Sequence, residues 1–383
     1  MSIHIAIPAC DELDYLPHTL KTLAEQEDLD FHAWVCINQP PGTSINNPKT
    51  HAANLATIDY IENSSFNFPI TTLEALDSEV DGGVGWARNH LAKHIYEQDQ
   101  EGLTVCLDAD TKVDSLYITS IRAAYQKYPS AVGLAAPYYH PLPDEPRMAR
   151  HLLRYEIYMR TYQLNLWKIQ SPYAYLSLGS AMSYRNKAWK TVHGIPKRSA
   201  GEDFYFLQKL RKTGDLIRWI PSTVFPSSRY SDRVPFGTGV LLSEPSLDLQ
   251  KKRFPFFPKS SFQKMKETFT LFETLYDHEI QLPIDDFLDS HMKGHEAFNK
   301  IRKNSRTAHQ FVHNAHQYFD ALRTLQFLKY DFSNHQLSGE ILPVCFETDT
   351  VEELNHYRNH CFEQESSFQR CYMENWHSNQ PSI

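Results

Sequence analysis

Apolar and polar positions alternate along the first half of the chain with two different periods. Short apolar runs that are typical of buried strands lie at residues 3–8, 31–37, 70–76, 103–107 and 131–136. Between these runs, apolar residues recur at helical spacing and predict helices over residues 16–24, 55–61, 86–96 and 116–125. Because strands and helices alternate, we expect an α/β fold with a mostly parallel sheet flanked by helices.

The pattern changes near residue 148. Aromatic and apolar residues recur there on one helix face, which we expect to pack in a core rather than hold a cofactor: Leu152, Tyr155, Met159, Tyr162 and Leu166. Beyond about residue 242 the alternation of strands and helices stops, and residues 311–325 carry the pattern of one amphipathic helix. The sequence therefore predicts a first domain over residues 1–240 and a mainly helical C-terminal region over residues 241–383.

The composition is that of a globular protein whose charge balance disfavours nucleic acid as a partner. The chain has 383 residues, of which 41% are hydrophobic and 13% aromatic, enough for a sizeable core. Its formal net charge is -8, whereas nucleic-acid binding requires a basic face. This balance still leaves room for a local basic pocket that binds phosphate.

Cysteine usage and hydropathy bear on the compartment. The six cysteines show no Cys-x-x-Cys pairing, and Cys36, Cys106 and Cys345 lie in apolar, strand-like runs where buried free thiols are usual. A reducing compartment is the simpler interpretation. The chain enters a strand pattern at Ile3, unlike a signal peptide, and no run reaches the roughly 20 apolar residues that span a bilayer. We expect a soluble, cytoplasmic protein without an integral membrane segment.

Two carboxylates directly follow the strand predicted at residues 103–107, in Asp108-Ala109-Asp110. In open α/β sheets, ligands collect just outside the carboxyl ends of the strands. A pair of carboxylates at such an end can hold a hard divalent cation, which most often serves a phosphate-bearing substrate. The alternative is a strand-end turn, in which Asp is common because its side chain bonds nearby backbone amides. For an isolated pair this alternative is favoured.

Two further segments place polar groups beside predicted strands and helices. Asp11 and Glu12 follow the first strand and are expected at the same sheet edge as Asp108. There they could accept hydrogen bonds from a ribose or a base. The alternative is that they only supply the negative charge that is favoured at a helix N-terminus. The Gly-rich turn at residues 82–85 precedes a helix that carries Arg88, whose guanidinium can pair with phosphate. This turn lacks the spacing of a dinucleotide fingerprint and the Lys of a P-loop.

The later part of the predicted domain adds an acidic pair and an arginine pair. Glu202 and Asp203 lie at the start of a predicted helix. A carboxylate near a bound phosphate could act there as a general base. The alternative is that the two residues only stabilise the helix N-terminus by their negative charge. Arg229 and Arg233 lie four residues apart in a loop and could clamp a diphosphate, although a solvated loop is the commoner reason for such a pair. Taken one at a time, these segments do not identify a function.

The order of these segments resembles that of family 2 glycosyltransferases with the GT-A fold. The matching segments follow one another as in that family: Pro8 and Glu12 after a strand, Arg88 after a Gly-rich turn, Asp108-Ala109-Asp110 after a strand, and Glu202-Asp203 at a helix start. The resemblance covers roughly residues 3–239 and leaves the C-terminal part unexplained. It implies a Rossmann-like, mostly parallel sheet and a metal-dependent, inverting transferase that uses a nucleoside-diphosphate sugar.

The resemblance also implies a role for each matching residue. Asp110 would ligate Mg²⁺ or Mn²⁺, and Asp108 would contact the ribose or a metal-bound water. Asp203 would be the catalytic base, with Glu202 in support. The remaining matches concern the nucleotide sugar: Pro8, Glu12 and Arg88 at the nucleotide, and Gly179-Ser180 at the floor of the donor-sugar and acceptor pocket. Asn38, at the end of the second strand, and Arg229 and Arg233, from their spacing, are further candidates for contact with the nucleotide and its diphosphate.

The chain departs from the family pattern at several places. After the second strand, Ile37-Asn38-Gln39-Pro40 stands where the family often has an acidic residue followed by Asp/Asn-Gly-Ser. Residues 222–239 contain no His that could complete a metal site, and Arg229 and Arg233 would do part of that charge work. The motif Gln-x-x-Arg-Trp of processive synthases is absent, so we expect a non-processive transferase acting on an unknown hydroxyl acceptor.

Two alternatives from other classes stay open. A nucleotidyltransferase on a related α/β scaffold usually has a Gly-rich, basic loop after its first strand, and Asp11, Glu12 and Asp14 at that place argue against it. A non-catalytic protein that binds sugar nucleotides is the other alternative. The presence of Glu202 and Asp203 at a helix start argues against this one without deciding the matter.

Overall fold

The centre of the fold is a seven-stranded sheet. The computed structural model of the chain describes residues 1–76, 83–197, 201–229, 254–334 and 342–375. The strands are β1 Ile3–Ala9, β2 His32–Asn38, β3 Ile70–Ala75, β4 Leu103–Cys106, β5 Lys112–Val113, β6 Gly133–Ala135, β7 Met182–Arg185, β8 Leu216–Ile217 and β9 Val224–Phe225. The strand order in the sheet is β3-β2-β1-β4-β7-β6-β8, and β5 and β9 form a separate two-stranded sheet.

The sheet is mostly parallel, as predicted. β1 pairs in parallel with β2 and β4, β2 with β3, and β6 with β8, whereas β7 runs antiparallel to β4 and β6. β1 and β4 are buried along their whole length, which explains their unbroken apolar sequences. The strand order reverses between β1 and β4. The crevice at the carboxyl ends of these two strands is where ligands bind in open α/β sheets.

The helices up to residue 213 include those that the sequence predicts, together with the short α2 and α7, which it does not. They are α1 Leu16–Ala24, α2 Thr43–Asn46, α3 Pro48–Asn63, α4 Gly83–Gln98, α5 Tyr117–Lys127, α6 Pro146–Lys168, α7 Asn186–Thr191 and α8 Glu202–Thr213. α1 has the predicted bounds, and Leu16, Leu20 and Leu23 on its inner face are buried. α3 starts earlier than predicted because Asn47 caps it, accepting a hydrogen bond from the Thr50 amide at 3.4 Å.

The C-terminal part is helical, as predicted, but has one more break than its pattern indicates. Its helices are α9 Lys259–Asp277, α10 Asp285–His291, α11 Glu296–Lys303, α12 Ala308–Tyr318, α13 Ala321–Asn334 and α14 Val351–Glu374. The single helix predicted over residues 311–325 is wrong, because the chain turns between α12 and α13. Phe319 leaves the helical conformation with φ -86° and ψ 66°, and Asp320 Oδ1 then caps α13 by accepting a hydrogen bond from the Arg323 amide at 3.2 Å.

The chain divides into two compact units. Unit 1 consists of Met1–Met148, Leu176–Ser243 and Ser366–Ile383, and unit 2 consists of Ala149–Tyr175 and Glu244–Glu365. The core of unit 2 joins α6 to the C-terminal helices, and its buried members include Leu166, Phe262, Phe272, Phe298 and Phe311. The aromatic face predicted on α6 is confirmed as a packing surface, since Met159 and Tyr162 also pack against this core. The domain boundary at residue 240 stays a prediction.

Unit 2 contains a buried cluster of alternating charges, with Glu156 and Arg160 on α6 and Arg358 and Glu365 on α14. Glu156 Oε2 accepts a hydrogen bond from Arg358 Nη1 at 2.9 Å, and Glu365 Oε2 accepts one from Arg160 Nη1 at 2.8 Å. A further contact of 3.6 Å joins Arg160 Nη2 to Glu156 Oε1. Each of these side chains is at most 6% exposed, so each charge depends on its partners for stability.

The six cysteines are free thiols. Cys36 and Cys106 are buried in β2 and β4, and burial raises the pKa of each thiol to about 12. Cys345 is exposed, so its predicted place in a buried strand is wrong. Pro343 interrupts the apolar run there, and the Cys345 amide opens a turn by donating to Asp349 Oδ2 at 2.6 Å. Within the described ranges, the helices lack the combination of length and apolarity that crossing a membrane requires.

Candidate active site

The Asp108-Ala109-Asp110 turn lies where β4 ends, beside β1. The Leu107 amide still donates to the Ala6 carbonyl of β1 at 3.1 Å, and the Thr111 amide then closes the turn on the Asp108 carbonyl at 3.1 Å. Thr19 on α1 fixes the turn by donating its hydroxyl to the Ala109 carbonyl at 2.8 Å. Both carboxylates stay accessible at the sheet edge, with 36% of the Asp108 side chain and 20% of the Asp110 side chain exposed.

Arg88 joins this turn to the start of α8. It extends from α4, and its buried guanidinium pairs with Asp108 Oδ1 on one side and with Glu202 Oε1 on the other. Burial by itself lowers the pKa of Arg88, but the charges of Asp108 and Glu202 outweigh burial and raise that pKa above its usual value. The guanidinium is therefore a permanent charge that holds two carboxylates from different elements in fixed positions.

Gly179 leaves the space that the Arg88 guanidinium occupies. A Cβ atom at this position would lie 2.5 Å from Arg88 Cζ, closer than side chains approach. The next residue, Ser180, is buried, and β7 begins shortly after it. Close packing against the arginine thus explains why glycine, which has no side chain, occupies position 179.

Asp203 lies next to this ion pair in the first turn of α8. The helix starts after Gly201, whose φ of 74° favours glycine, and Asp203 Oδ1 accepts a hydrogen bond from the Phe204 amide at 2.7 Å. Burial, followed by the negative charge of Glu202, raises the pKa of Asp203 to about 7 against the opposing effect of Arg88. A carboxyl group with this pKa exchanges its proton near neutral pH, which suits general acid–base chemistry.

A second arginine, Arg229, joins the turn to the end of β1. Its Nε donates to Asp110 Oδ2 at 2.8 Å, and its Nη2 donates to Glu12 Oε1 at 2.5 Å. Its guanidinium carbon lies 4.0 Å from the centre of the Tyr15 ring, which covers one face of the cation. Burial lowers the pKa of Arg229, but Asp110 and Glu12 outweigh burial and raise it, so the side chain is charged.

The small β5–β9 sheet positions Arg229. β5 follows the Asp108-Ala109-Asp110 turn directly and pairs with β9, with Lys112 opposite Phe225. Asp114 adds two hydrogen bonds to the segment that enters β9, because it accepts from Ser222 Oγ at 2.6 Å and from the Thr223 amide at 3.0 Å. Arg229 comes four residues after β9 ends, so this pairing brings it within reach of the carboxylates.

A buried polar network lies beside the ends of β1 and β2. Asn38 is buried at the end of β2, and the next residue, Gln39, donates to the Leu76 carbonyl at 2.9 Å. Asn54 of α3 donates to Gln39 Oε1 at 3.0 Å and accepts from the Asp11 amide at 2.8 Å. Gln39 and Asn54 were not among the predicted site residues. Gln39 could have been predicted as a site residue, because it directly follows a buried strand. Asn54 could not, because nothing in the sequence distinguishes it from other polar residues of its helix.

The structure brings most of the predicted residues to one edge of the sheet, where two arginines link them: Glu12, Arg88, Asp108, Asp110, Glu202, Asp203 and Arg229. Pro8 lies within β1, opposite Cys36 of β2. Glu12 is not a charge in the first turn of α1, because α1 begins at Leu16 and has no acidic residue there. Arg233, like Asp81 and Gly82 of the Gly-rich turn, lies outside the described residues.

Asp110 and Asp108 suit a metal ion that arrives together with a diphosphate. In the part of the chain that the structure describes, no three or more His, Cys, Asp or Glu side chains are grouped to hold a metal ion. Mg²⁺ is commonly bound by only one or two carboxylates, with substrate phosphates among the remaining ligands. Because each aspartate also pairs with an arginine, the two carboxylates fit a shared metal–substrate site better than a permanent metal site.

A mostly parallel sheet whose strand order reverses between β1 and β4, with carboxylates at that edge, has the layout of a ligand-binding α/β protein. Residues 103–244, a little over a third of the chain, match the model of glycosyl transferase family group 2. The matched segment contains all the predicted catalytic and metal residues: Asp108, Asp110, Glu202 and Asp203.

Two solved structures are similar to the chain at low sequence identity. S. aureus TarS 1-349, in complex with UDP-GlcNAc, is 12% identical over 99% of this chain and 93% of that chain, with a TM-score of 0.40. The mannosyltransferase PcManGT from Pyrobaculum calidifontis, in complex with GDP-Man and Mn²⁺, is 12% identical over 99% of this chain and 88% of that chain, with a TM-score of 0.38. A comparison with curated proteins gave no match.

Proposed function

We propose that the protein transfers a sugar from a nucleoside-diphosphate sugar to an acceptor hydroxyl, with inversion at the anomeric carbon. One observation supports this more than any other. The Arg88 guanidinium ties Asp108, at the edge where a diphosphate would bind, to Glu202, which adjoins the candidate base Asp203. The residues proposed to neutralise the diphosphate and to remove the proton are thereby held at a fixed distance from each other, as a displacement reaction requires.

Asp203 is the proposed catalytic base. It takes the proton of the acceptor hydroxyl as the hydroxyl oxygen bonds to the anomeric carbon, while the bond from that carbon to the diphosphate oxygen breaks. The electron pair of the broken bond leaves with the nucleoside diphosphate, and attack from the opposite face inverts the configuration. A pKa of about 7 makes Asp203 a stronger base than an ordinary aspartate and leaves much of it ionised at neutral pH.

Asp110, with Asp108, is proposed to hold Mg²⁺ or Mn²⁺ together with the donor diphosphate. A cation bound in this way neutralises the charge that develops on the leaving diphosphate. Asp110 is the better direct ligand, because its partner Arg229 is partly exposed, whereas the partner of Asp108 is the buried Arg88. Arg88, predicted as a phosphate contact, is assigned a positioning role instead, since two carboxylates already occupy its guanidinium.

Transfer of one sugar per encounter is proposed because the motif of processive synthases is absent from the sequence. The six free thiols fit a reducing compartment such as the cytoplasm, which we propose as the location. The polar network around Gln39 and Asn54 lies at the sheet edge where the nucleoside is expected, and we propose that it faces the base or ribose.

A donor screen tests this function. With Mn²⁺ and a panel of UDP- and GDP-sugars, the protein is expected to hydrolyse its donor slowly in the absence of acceptor, releasing free sugar and nucleoside diphosphate. A nucleotidyltransferase would release pyrophosphate from a nucleoside triphosphate instead. A non-catalytic binding protein would be stabilised against heat by a donor but release nothing. Either of these two results would overturn the proposal.

A further inference from the structure

A cation of the protein itself already pairs with the carboxylate that is proposed to bind metal. Arg229 Nε lies 2.8 Å from Asp110 Oδ2, and the same guanidinium reaches Glu12 Oε1 at 2.5 Å. A metal ion that coordinates Asp110 would lie next to this guanidinium, so the two cations repel each other and compete for the same carboxylate. The arginine is therefore a competitor for the metal position, and its strength depends on what else holds it.

Arg229 is held on several sides but is not enclosed. Glu12 is buried and anchors Nη2, while the Tyr15 ring covers the face of the guanidinium, so two contacts remain when Nε is released. The Arg229 side chain is 20% exposed, whereas that of Arg88 is 4% exposed and lies between two carboxylates. Arg229 can change one partner without leaving a buried charge unpaired, and Arg88 cannot.

We propose that Arg229 is an internal counter-cation that opposes metal binding at Asp110 until a nucleoside diphosphate arrives with the metal. This inference rests on the proposed function. With metal alone, the ion and the guanidinium compete for Asp110, and the displaced guanidinium stays beside a second cation. A diphosphate removes both obstacles, because its oxygens accept the guanidinium in the two-pronged geometry that arginine favours. Metal and diphosphate therefore bind cooperatively.

The local balance of charge supports this assignment. Glu12 and Asp110 share the Arg229 cation, just as Asp108 and Glu202 share Arg88. Removal of the Arg229 charge would take away the cation that Glu12 and Asp110 share. An acidic pair of this kind attracts free divalent ions, whether or not a donor is present. The arginine thus keeps the site from holding metal without substrate, and it adds a positive charge next to the leaving diphosphate.

Calorimetry of Mn²⁺ binding tests the inference. The wild-type chain is expected to bind Mn²⁺ alone weakly, and at least about tenfold more tightly when UDP or GDP is present. Arg229→Gln is expected to bind Mn²⁺ alone about tenfold more tightly than the wild type and to lose most of the gain from the nucleotide. Arg306→Gln removes an exposed arginine of unit 2 and serves as the matched control, with wild-type behaviour expected.

Equal Mn²⁺ affinities of the wild type and Arg229→Gln would overturn the inference. This comparison needs no nucleotide, so it stands even if the donor screen finds no donor, a result that counts against the proposed function alone. Arg229→Lys keeps the charge and loses the two-pronged geometry. It should oppose Mn²⁺ as the wild type does and gain less from the nucleotide. If Arg229→Gln does not fold, Tyr15→Leu is the second measurement, because it loosens the arginine and should raise the Mn²⁺ affinity by a smaller factor.

Discussion

Asp203 lies where its proton becomes available near neutral pH. Burial and the adjacent charge of Glu202 favour its protonated form, Arg88 opposes them, and the resulting pKa is about 7. Below this pH, most of the Asp203 carboxyl carries a proton and cannot accept another from the acceptor hydroxyl. Above it, the carboxylate is ionised, so with Asp203 as the proposed base the pH dependence of transfer reports on this residue.

The value of kcat/KM is expected to fall by about tenfold for each pH unit below about 7, and to level off above that pH. Glu202→Gln removes a cause of the raised pKa of Asp203, so it should move the acid limb of the profile to lower pH. Glu62→Gln, at an exposed position on α3, should leave the acid limb of the profile in place.

Asp203→Asn should abolish transfer while calorimetry still shows donor binding. Wild-type turnover in that variant would rule out Asp203 as the base.

Some site residues could be predicted one by one, and others could not. Asp108, Asp110 and Asp203 each stand next to a strand end or a helix start, where the chain itself shows their placement. The pairing of Arg229 with Glu12 joins residues 217 positions apart and follows only from the folded sheet. For the same reason, the sequence suggested that Arg88 meets phosphate, whereas the fold places carboxylates on both sides of it.

The β5–β9 sheet is the element that decides where Arg229 lies. It is held by Asp114, which accepts hydrogen bonds from Ser222 Oγ and the Thr223 amide. Asp114→Ala should loosen β9 and, with it, the contact between Arg229 and Asp110. Mn²⁺ alone is then expected to bind more tightly than to the wild type, in the direction of Arg229→Gln but by a smaller factor, as measured by calorimetry.

Asp144→Ala is the control for this prediction, because Asp144 is exposed. It should leave the Mn²⁺ affinity unchanged. An Asp114→Ala variant that is folded and binds Mn²⁺ as the wild type does would show that β9 does not position Arg229.

Elements with a strong internal pattern could be predicted, and elements defined by their partners could not. α1 has its predicted bounds because three leucines mark its inner face. β7 is only four residues long and runs antiparallel between β4 and β6, so it is recognisable only when its neighbours are in place. The break between α12 and α13 was hidden because Asp320 caps the second helix without interrupting the apolar spacing.

At the scale of the whole molecule, the C-terminal region is tied to α6 by buried charges as well as by apolar packing. Glu365→Gln should remove the carboxylate that pairs with the buried Arg160 at 2.8 Å. The loss of one partner from a buried ion pair costs about 3–5 kcal/mol. The free energy of unfolding in urea is expected to fall by that amount, with the loss arising in unit 2.

Glu363→Gln is the matched control, since Glu363 lies two residues away on α14 and is exposed. Its expected effect on the free energy of unfolding is below about 0.5 kcal/mol. Equal stabilities of the two variants would mean that the charge cluster contributes nothing to the stability of unit 2.

The contact between Arg88 and Gly179 also constrains how this sequence can change over generations. A larger residue at position 179 displaces the arginine, and a smaller one at position 88 leaves Glu202 buried without its cation. Each single substitution is therefore harmful before a second could compensate for it. Positions 88, 179 and 202 are therefore expected to vary together, and a descendant that differs at only one of them is expected to have a weakened link between Asp108 and Glu202.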